Sequence, residues 1–493
     1  MKDRSSAYPG ESTMRRGLAD APGEGTTVTR SIITSAAAAV VLVALVLFLG
    51  PIPVLIGILG ITGVIVVLRF PLAGIYALIV LLPFNALVSQ VAPGVVGTAY
   101  GVMKDAIIGL LLIAALVNRR FNRAPTSIAV LVALLALLPL VSGTFTPSLE
   151  QALYGWRNDY EPLLLLVLVP AFVEVRHVRR MLMTIIATAQ ISAALAVATW
   201  TQGIQWLLDI GRLPVPAGQR FPTSLFSSGS LTPRAFSPYV APNELAAAMI
   251  ISIAVVWCAP GLRTSRRLLL TLLPAAAVLL TESRSGLFGA AILGAVLLAR
   301  AMRKSSQILS VGFLLVAGVA TVAAATLYIG GALEEETDTS FGGHAASLQE
   351  GLAQLLVHPL GMGLGVVGPR SLQFETNYHV ESYWLLIALE AGPLILAIFL
   401  ILLGVLAGRA TRSRSIVGFL PAAALSGTLV SQIVLPTLQE SPVSFLLWIS
   451  VGLATVVQAQ EKADPAFTLG EHSPTFEPRR RKALPALRKP QSV

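Results

Sequence analysis

Glu282 and Arg284 stand two residues apart in Leu280-Thr281-Glu282-Ser283-Arg284-Ser285-Gly286, within a run of 32 residues, Leu268 to Ala299, that is otherwise apolar. A charge near a bilayer centre costs roughly 2.5–3.5 kcal/mol on insertion scales, so such residues face a cavity or a partner and mark function. One reading is an anion-binding arginine near a membrane surface. The plainer one is a polar turn between two helices with both charges solvated. Arg234 opens a second candidate segment, Arg234-Ala-Phe-Ser-Pro-Tyr-Val-Ala-Pro-Asn243-Glu244-Leu245, in which Pro242 and Glu244 mark a helix start at Asn243. A third, Asn377-Tyr378-His379-Val380-Glu381-Ser382-Tyr383-Trp384, brings an imidazole, a carboxylate and aromatic rings together. A carboxylate in reach of a sugar hydroxyl can act as general base. It can equally be an ordinary helix-start acid. Glu390, deeper in the same run, reads as a helix-packing residue.

The elements that must position these groups are membrane helices. The chain has 493 residues, 55% hydrophobic and 12% charged, with mean hydropathy +0.77. Soluble domains carry about 25% charged residues, so the expected class is an all-α, polytopic integral membrane protein. The single Cys258 excludes an intrachain disulfide, and the five His are scattered, so no metal site is expected. At roughly 20 apolar residues per span, about 14 transmembrane helices are predicted. They lie near 31–49, 51–68, 71–91, 104–118, 126–144, 161–175, 181–200, 243–260, 267–281, 285–299, 308–330, 380–407, 415–434 and 441–458. Residues 1–29 and 459–493 read as disordered cytoplasmic tails, the second basic, flanking a membrane domain over 30–458.

Lys and Arg set the orientation. With the amino terminus cytoplasmic, 28 of the 35 basic residues fall inside. The 32-residue apolar run must then be two helices of about 15 residues. At 1.5 Å per residue each spans about 22 Å, which would set the Glu282–Ser285 turn below the outer surface. Lys104, Arg157, Arg212, Arg220, Arg234, Arg284 and Arg370 remain outside. Arginine suits phosphate oxygens, so an anion is expected there. Arg212 and Arg370 read as ordinary loop charges. Two outer loops are long, 201–242 and 331–379. The second is partly helical over Ala345–Val357 and continues into His358-Pro359-Leu360-Gly361-Met362-Gly363-Leu364-Gly365. Without a preceding strand or a Lys-Ser/Thr pair, that segment is a tight structural turn rather than a nucleotide loop.

Four stretches in order resemble the bacterial O-antigen ligase and O-antigen polymerase superfamily: Arg234…Pro242-Asn243-Glu244-Leu245-Ala246, then Leu280-Thr281-Glu282-Ser283-Arg284-Ser285-Gly286, then His358–Gly365, then Glu381-Ser382-Tyr383-Trp384-Leu385…Glu390-Ala391-Gly392. The resemblance covers roughly residues 150–400. It implies a GT-C-like glycosyltransferase of the bacterial cytoplasmic membrane, with both termini cytoplasmic and its site facing outward. Such an enzyme needs no nucleotide sugar, metal or other cofactor. Its partners are a polyprenyl-diphosphate-linked glycan donor, a glycan or glycolipid acceptor, and membrane lipid, with no nucleic acid. The resemblance implies catalytic roles for Arg234 and Arg284, as holders of the diphosphate, and for Glu381 as base, with His379 as the alternative base. Arg157, Arg220, Asn243, Glu282 and Tyr383 are expected at the substrate. Ligases of the family typically carry His-Asn where this chain has Glu381-Ser382, which points away from a lipid A–core ligase and toward a polymerase or a ligase for another acceptor. The rival classes are a transporter or flippase of lipid-linked sugar, disfavoured by the lack of an internal repeat and by charges gathered on one side, and an envelope scaffold, which needs no outer arginines.

Overall fold

The computed structural model describes residues 50–92, 94–209, 225–226, 233–302, 349–433, 435–464 and 467. The expected helices at 31–49 and 308–330, Arg220, and nearly all of both tails lie outside these residues. The chain divides into two units, 1–63 and 64–493. Of the first, residues 50–63 are described, and residues 51–63 begin helix α1 (Pro51–Arg69).

The second unit is helical. Its elements are α2 (Pro71–Leu81, followed by a short helix Asn85–Val91), α3 (Val95–Val117), α4 (Thr126–Leu137), α5 (Leu149–Asp159), α6 (Leu165–Phe172) and α7 (Val175–Asp209). Then come α8 (Pro242–Cys258), α9 (Thr264–Leu280), α10 (Arg284–Met302), α11 (Tyr383–Ala391), α12 (Pro393–Arg412), α13 (Leu420–Ser431) and α14 (Ser441–Ala463). Among the described residues the only β pairings are two isolated bridges, Phe226 with Pro233 and Val367 with Tyr378. Proline opens α2, α8 and α12 in the first turn, where its missing N–H would be unpaired anyway. The Ser148 hydroxyl caps α5 by accepting from Gln151 N at 3.1 Å.

The core is built on α8 and α14, both buried along nearly their whole length. Small residues let backbones meet there: a Cβ on Gly452 of α14 would lie 3.1 Å from the Leu165 carbonyl oxygen. The outward faces are apolar instead of polar, with Ile113, Leu116, Val130, Leu134, Leu137, Leu400 and Ile401 exposed. Lipid, not water, suits such a surface. Eight described helices are long and apolar enough to cross a membrane, and shorter apolar helices accompany them.

Four expectations need correction. The run 380–407 is two helices, because Gly392 adopts φ 90° and Pro393 starts a new helix. Residues 149–159, expected as loop, form the amphipathic α5. Helix α3 begins at Val95, so Lys104 sits inside it and is buried. The apolar run around Glu282 does split in two, but α9 and α10 have 17 and 19 residues. Their lengths are then about 26 and about 29 Å, which removes the helix-length argument for a recessed turn.

Candidate active site

The turn between α9 and α10 is built by its own polar residues. Thr281 ends α9 with its hydroxyl bonded to Val278 O at 2.6 Å. Glu282 takes the left-handed φ of 49°. Ser283 Oγ accepts from Gly286 N at 3.1 Å, closing the first turn of α10. Gly286 has no room for a side chain, since a Cβ there would meet Ala246 Cβ of α8 at 2.6 Å. The glycine thus seats the start of α10 on α8.

Arg234 is stitched to this turn. Its Nε donates to Thr281 O at 2.6 Å, and the next residue's N–H donates to Leu280 O at 2.9 Å. Burial lowers the proton affinity of the Arg234 guanidinium, nearby Glu282 raises it, and Arg284 lowers it further. Arginine nonetheless stays charged across the working range. Two guanidinium groups and one carboxylate therefore share one corner. Arg234 is half-buried, whereas Arg284 and Glu282 are exposed. Asn243, half-buried, lies in the first turn of α8.

The carboxylate side is held by two fixed points. Tyr378 pairs with the glycine turn, N to Val366 O at 2.7 Å and O from Gly368 N at 2.8 Å. Tyr383 N donates to Gln432 O at the end of α13 at 2.9 Å. Between them His379 Nε2 lies 3.5 Å from Glu381 Oε1, with both side chains partly exposed.

Helix α13 brings the two sides to one end of the bundle. Helices α10 and α13 touch where a Cβ on Gly289 would meet Gly427 O at 2.3 Å. At the other end Arg300 Nη2 donates to Ser413 O at 3.0 Å, so the helices are antiparallel. Arg284 precedes Gly289 by five residues and Gln432 follows Gly427 by five, about 7–8 Å of rise in the same direction. The arginine turn and the Glu381 segment thus flank the same end of α13.

The glycine turn is structural. A Cβ on Gly361 would meet Glu390 O at 2.4 Å, and one on Gly365 would meet Gln151 O at 2.2 Å. Both residues have positive φ, 94° and 72°. Its amides are committed to the protein: Met362 N to Leu389 O at 2.6 Å and Gly363 N to Glu390 O at 3.2 Å. The described helix before it, 349–357, packs on α11 through Gly351 and Leu385.

Other expected residues are engaged by protein partners. Tyr383 is 2% exposed and packs against the rings of Trp384 and Phe399, so it serves the core. Arg157 lies over the Tyr154 ring and 3.5 Å from Asp105, in a network where Lys104 contacts Asp105 at 2.5 Å and Glu161 at 3.9 Å. Arg370 makes a two-pronged ion pair with Glu440. Among the described residues no cluster of His, Cys, Asp and Glu could hold a metal.

The structure also reveals a buried acid pair that sequence reading leaves unassembled. Asp159, at the end of α5, and Glu390, at the end of α11, are 3% and 0% exposed, and their carboxyls are within hydrogen-bonding reach of each other. Glu390 Oε1 accepts from Gly365 N at 2.8 Å, and Asp159 Oδ2 accepts from Gln439 Nε2 at 3.2 Å. The remaining oxygens, Asp159 Oδ1 and Glu390 Oε2, have no donor. One proton shared between them satisfies both. Burial raises the Asp159 pKa, against the opposing pull of Gln439, Glu390 and Arg370.

Residues 269–400 match the family described as O-antigen ligase. That stretch of the chain is similar to the O-antigen ligase family. The match takes in Glu282, Arg284, the glycine turn, His379, Glu381 and Glu390, and stops short of Arg157, Arg234 and Asn243. No curated protein matches the chain.

Proposed function

We propose that this protein joins glycans at a membrane surface, moving a glycan from a polyprenyl-diphosphate-linked donor to an acceptor hydroxyl. The observation that carries the reading is the pair of guanidinium groups, Arg234 and Arg284, set at the same end of α13 as the His379–Glu381 pair. A diphosphate leaving group needs positive charge where its own negative charge develops, and such stabilisation is usually the largest single catalytic contribution. Glu381 takes the proton of the acceptor hydroxyl, and the hydroxyl oxygen attacks the anomeric carbon. The bond to the diphosphate oxygen breaks as the new glycosidic bond forms, which inverts the anomeric centre. His379 positions the Glu381 carboxylate. Asn243 and Glu282, beside the arginines, contact the donor sugar or diphosphate. By the distribution of Lys and Arg, this end faces out of the cytoplasmic membrane. Glu381-Ser382 in place of His-Asn favours a polymerase, or a ligase for an acceptor other than lipid A–core.

The test is reconstitution of the purified protein with polyprenyl-diphosphate-linked oligosaccharide from its own cells. Released polyprenyl diphosphate and a longer or transferred glycan are expected, and Arg284→Ala should abolish both while leaving expression intact. Full turnover in Arg284→Ala would sink the proposal. Donor that merely changes leaflet would make the protein a transporter.

A further inference from the structure

At the opposite ends of α9 and α10 from the Arg234 corner lies a cavity of about 930 Å³. Its walls come from α8, α9 and α10, and are largely apolar, with Ile253, Trp257, Leu293 and Leu297 among them. Its rim carries Arg267, Arg300 and Arg414, and no acidic side chain lines it. Arg267 and Arg300 both act electrostatically on the same buried Cys258, so they share one neighbourhood. Arg300 is fixed in place by Ser413 O and Arg414 O at 3.0 and 3.2 Å and by the Phe419 ring at 4.8 Å. Arg267 Nη2 donates to Ala259 O at 3.1 Å, while its Nε is buried and has no acceptor.

We propose that this cavity binds one anionic phospholipid, with the phosphate on Arg267 and Arg300 and an acyl chain along the apolar wall. Two observations fit that occupant together: a largely apolar lining and a rim of one sign. The rim also belongs to the basic end of the bundle, where Arg179 lies 3.6 Å from the Cβ position of Gly261. Anionic lipid is drawn to such juxtamembrane clusters. The inference does not depend on the reaction proposed above, because the cavity is at the other end of α9 and α10.

The test is native mass spectrometry of the delipidated full-length protein titrated with dioleoyl phosphatidylglycerol, dioleoyl phosphatidylcholine, or inorganic phosphate. One phosphatidylglycerol should bind at least tenfold more tightly than phosphatidylcholine. Arg267→Gln and Arg300→Gln should each weaken it about fivefold. Gly294 lines the cavity with open space at its Cβ position, so Gly294→Leu should weaken lipid binding without disturbing the arginines. Equal affinity for the two lipids overturns the proposal, as does phosphatidylglycerol binding untouched by Gly294→Leu. Inorganic phosphate that competes fully with the lipid would make this a free-phosphate site instead. Quantitative disulfide formation between Gly294→Cys and a cysteine placed within 308–330 would show the groove filled by the chain itself, and would equally overturn it.

Discussion

Removing the Glu390 carboxyl tests how the glycine turn is held. In Glu390→Ala, Gly365 N–H and Asp159 Oδ1 are both left buried without their partner. An unsatisfied buried group costs about 1–3 kcal/mol, so the two together cost about 2–6 kcal/mol. Glu390→Gln should be mild, within about 1 kcal/mol. Its amide oxygen can accept from Gly365 N, and its NH2 can donate to Asp159 Oδ1, as the shared proton does. The assay is thermal unfolding of the reconstituted protein followed by intrinsic fluorescence. At about 2–4 °C per kcal/mol for mid-sized domains, and less for larger ones, Glu390→Ala should lose roughly 5–10 °C and Glu390→Gln very little. The pH dependence has a definite sign. A carboxyl whose proton is retained on folding binds more protons folded than unfolded, so stability is greatest below the ordinary carboxylate pKa of about 3.9. It falls as pH rises through the window above that value and levels off once the shared proton is lost. Glu390→Gln should flatten this slope, because a permanent donor replaces the proton. If Glu390→Ala and Glu390→Gln melt together, or if both keep the wild-type slope, the shared-proton account is refuted.

Arg234→Ala should lower both turnover and thermal stability, since it also cuts the bond to Thr281 O, whereas the exposed Arg284→Ala should lower turnover alone; unfolding curves beside donor-release rates separate the two. Glu381→Gln should slow transfer by roughly 10²–10⁴-fold, the usual worth of a general base, and His379→Gln by less than about tenfold; the reverse order, in single-turnover measurements, would move the base to His379. Gly365→Ala should abolish folded expression, because its Cβ would lie 2.2 Å from Gln151 O at a φ of 72°, while Gly404→Ala, with open space at its Cβ, should stabilise α12 by up to about 1 kcal/mol, measured by the same melting assay.

Charge in an apolar chain is conspicuous, so the Arg234, Glu282 and Arg284 corner could be read from sequence, and the basic clusters located the other end of the bundle. The glycine turn was legible as structure because no phosphate-loop partner accompanied it. Lys104 was misplaced because the stretch before it, Val95–Met103, mixes glycines with polar residues and hides the first turns of α3. The break inside 380–407 had a local signal in Gly392-Pro393, but the unbroken apolar character of the run masks it. The acid pair was illegible for a different reason. Glu390 reads in sequence only as a helix-packing residue and Asp159 carries no signal of its own, and only the packing of α5 against the glycine turn makes them neighbours. Arg370 likewise finds Glu440 through tertiary packing alone.

The end of α13 explains why so dispersed a set of residues could work as one site. Gln432 is fully buried and its amide is satisfied: Nε2 reaches Thr428 O, Ser431 Oγ and Thr437 Oγ1 at 3.2, 3.1 and 2.7 Å, and Oε1 accepts from Leu438 N at 3.0 Å. Its carbonyl oxygen fixes Tyr383 N, two residues from Glu381. Five residues before it, Gly427 sets α10 and hence Arg284. Such a residue has little freedom to shift without breaking several bonds at once. Electrostatic help to a leaving group is effective when the charges are already in place, because no reorganisation is then needed at the moment of reaction. A helix end held between arginine turn and carboxylate segment would supply that condition for the proposed reaction. The acid pair secures the other side of the carboxylate segment, through the glycine turn and Tyr378. Both anchors of Glu381 are therefore buried polar clusters, while the groups proposed to face substrate remain partly exposed.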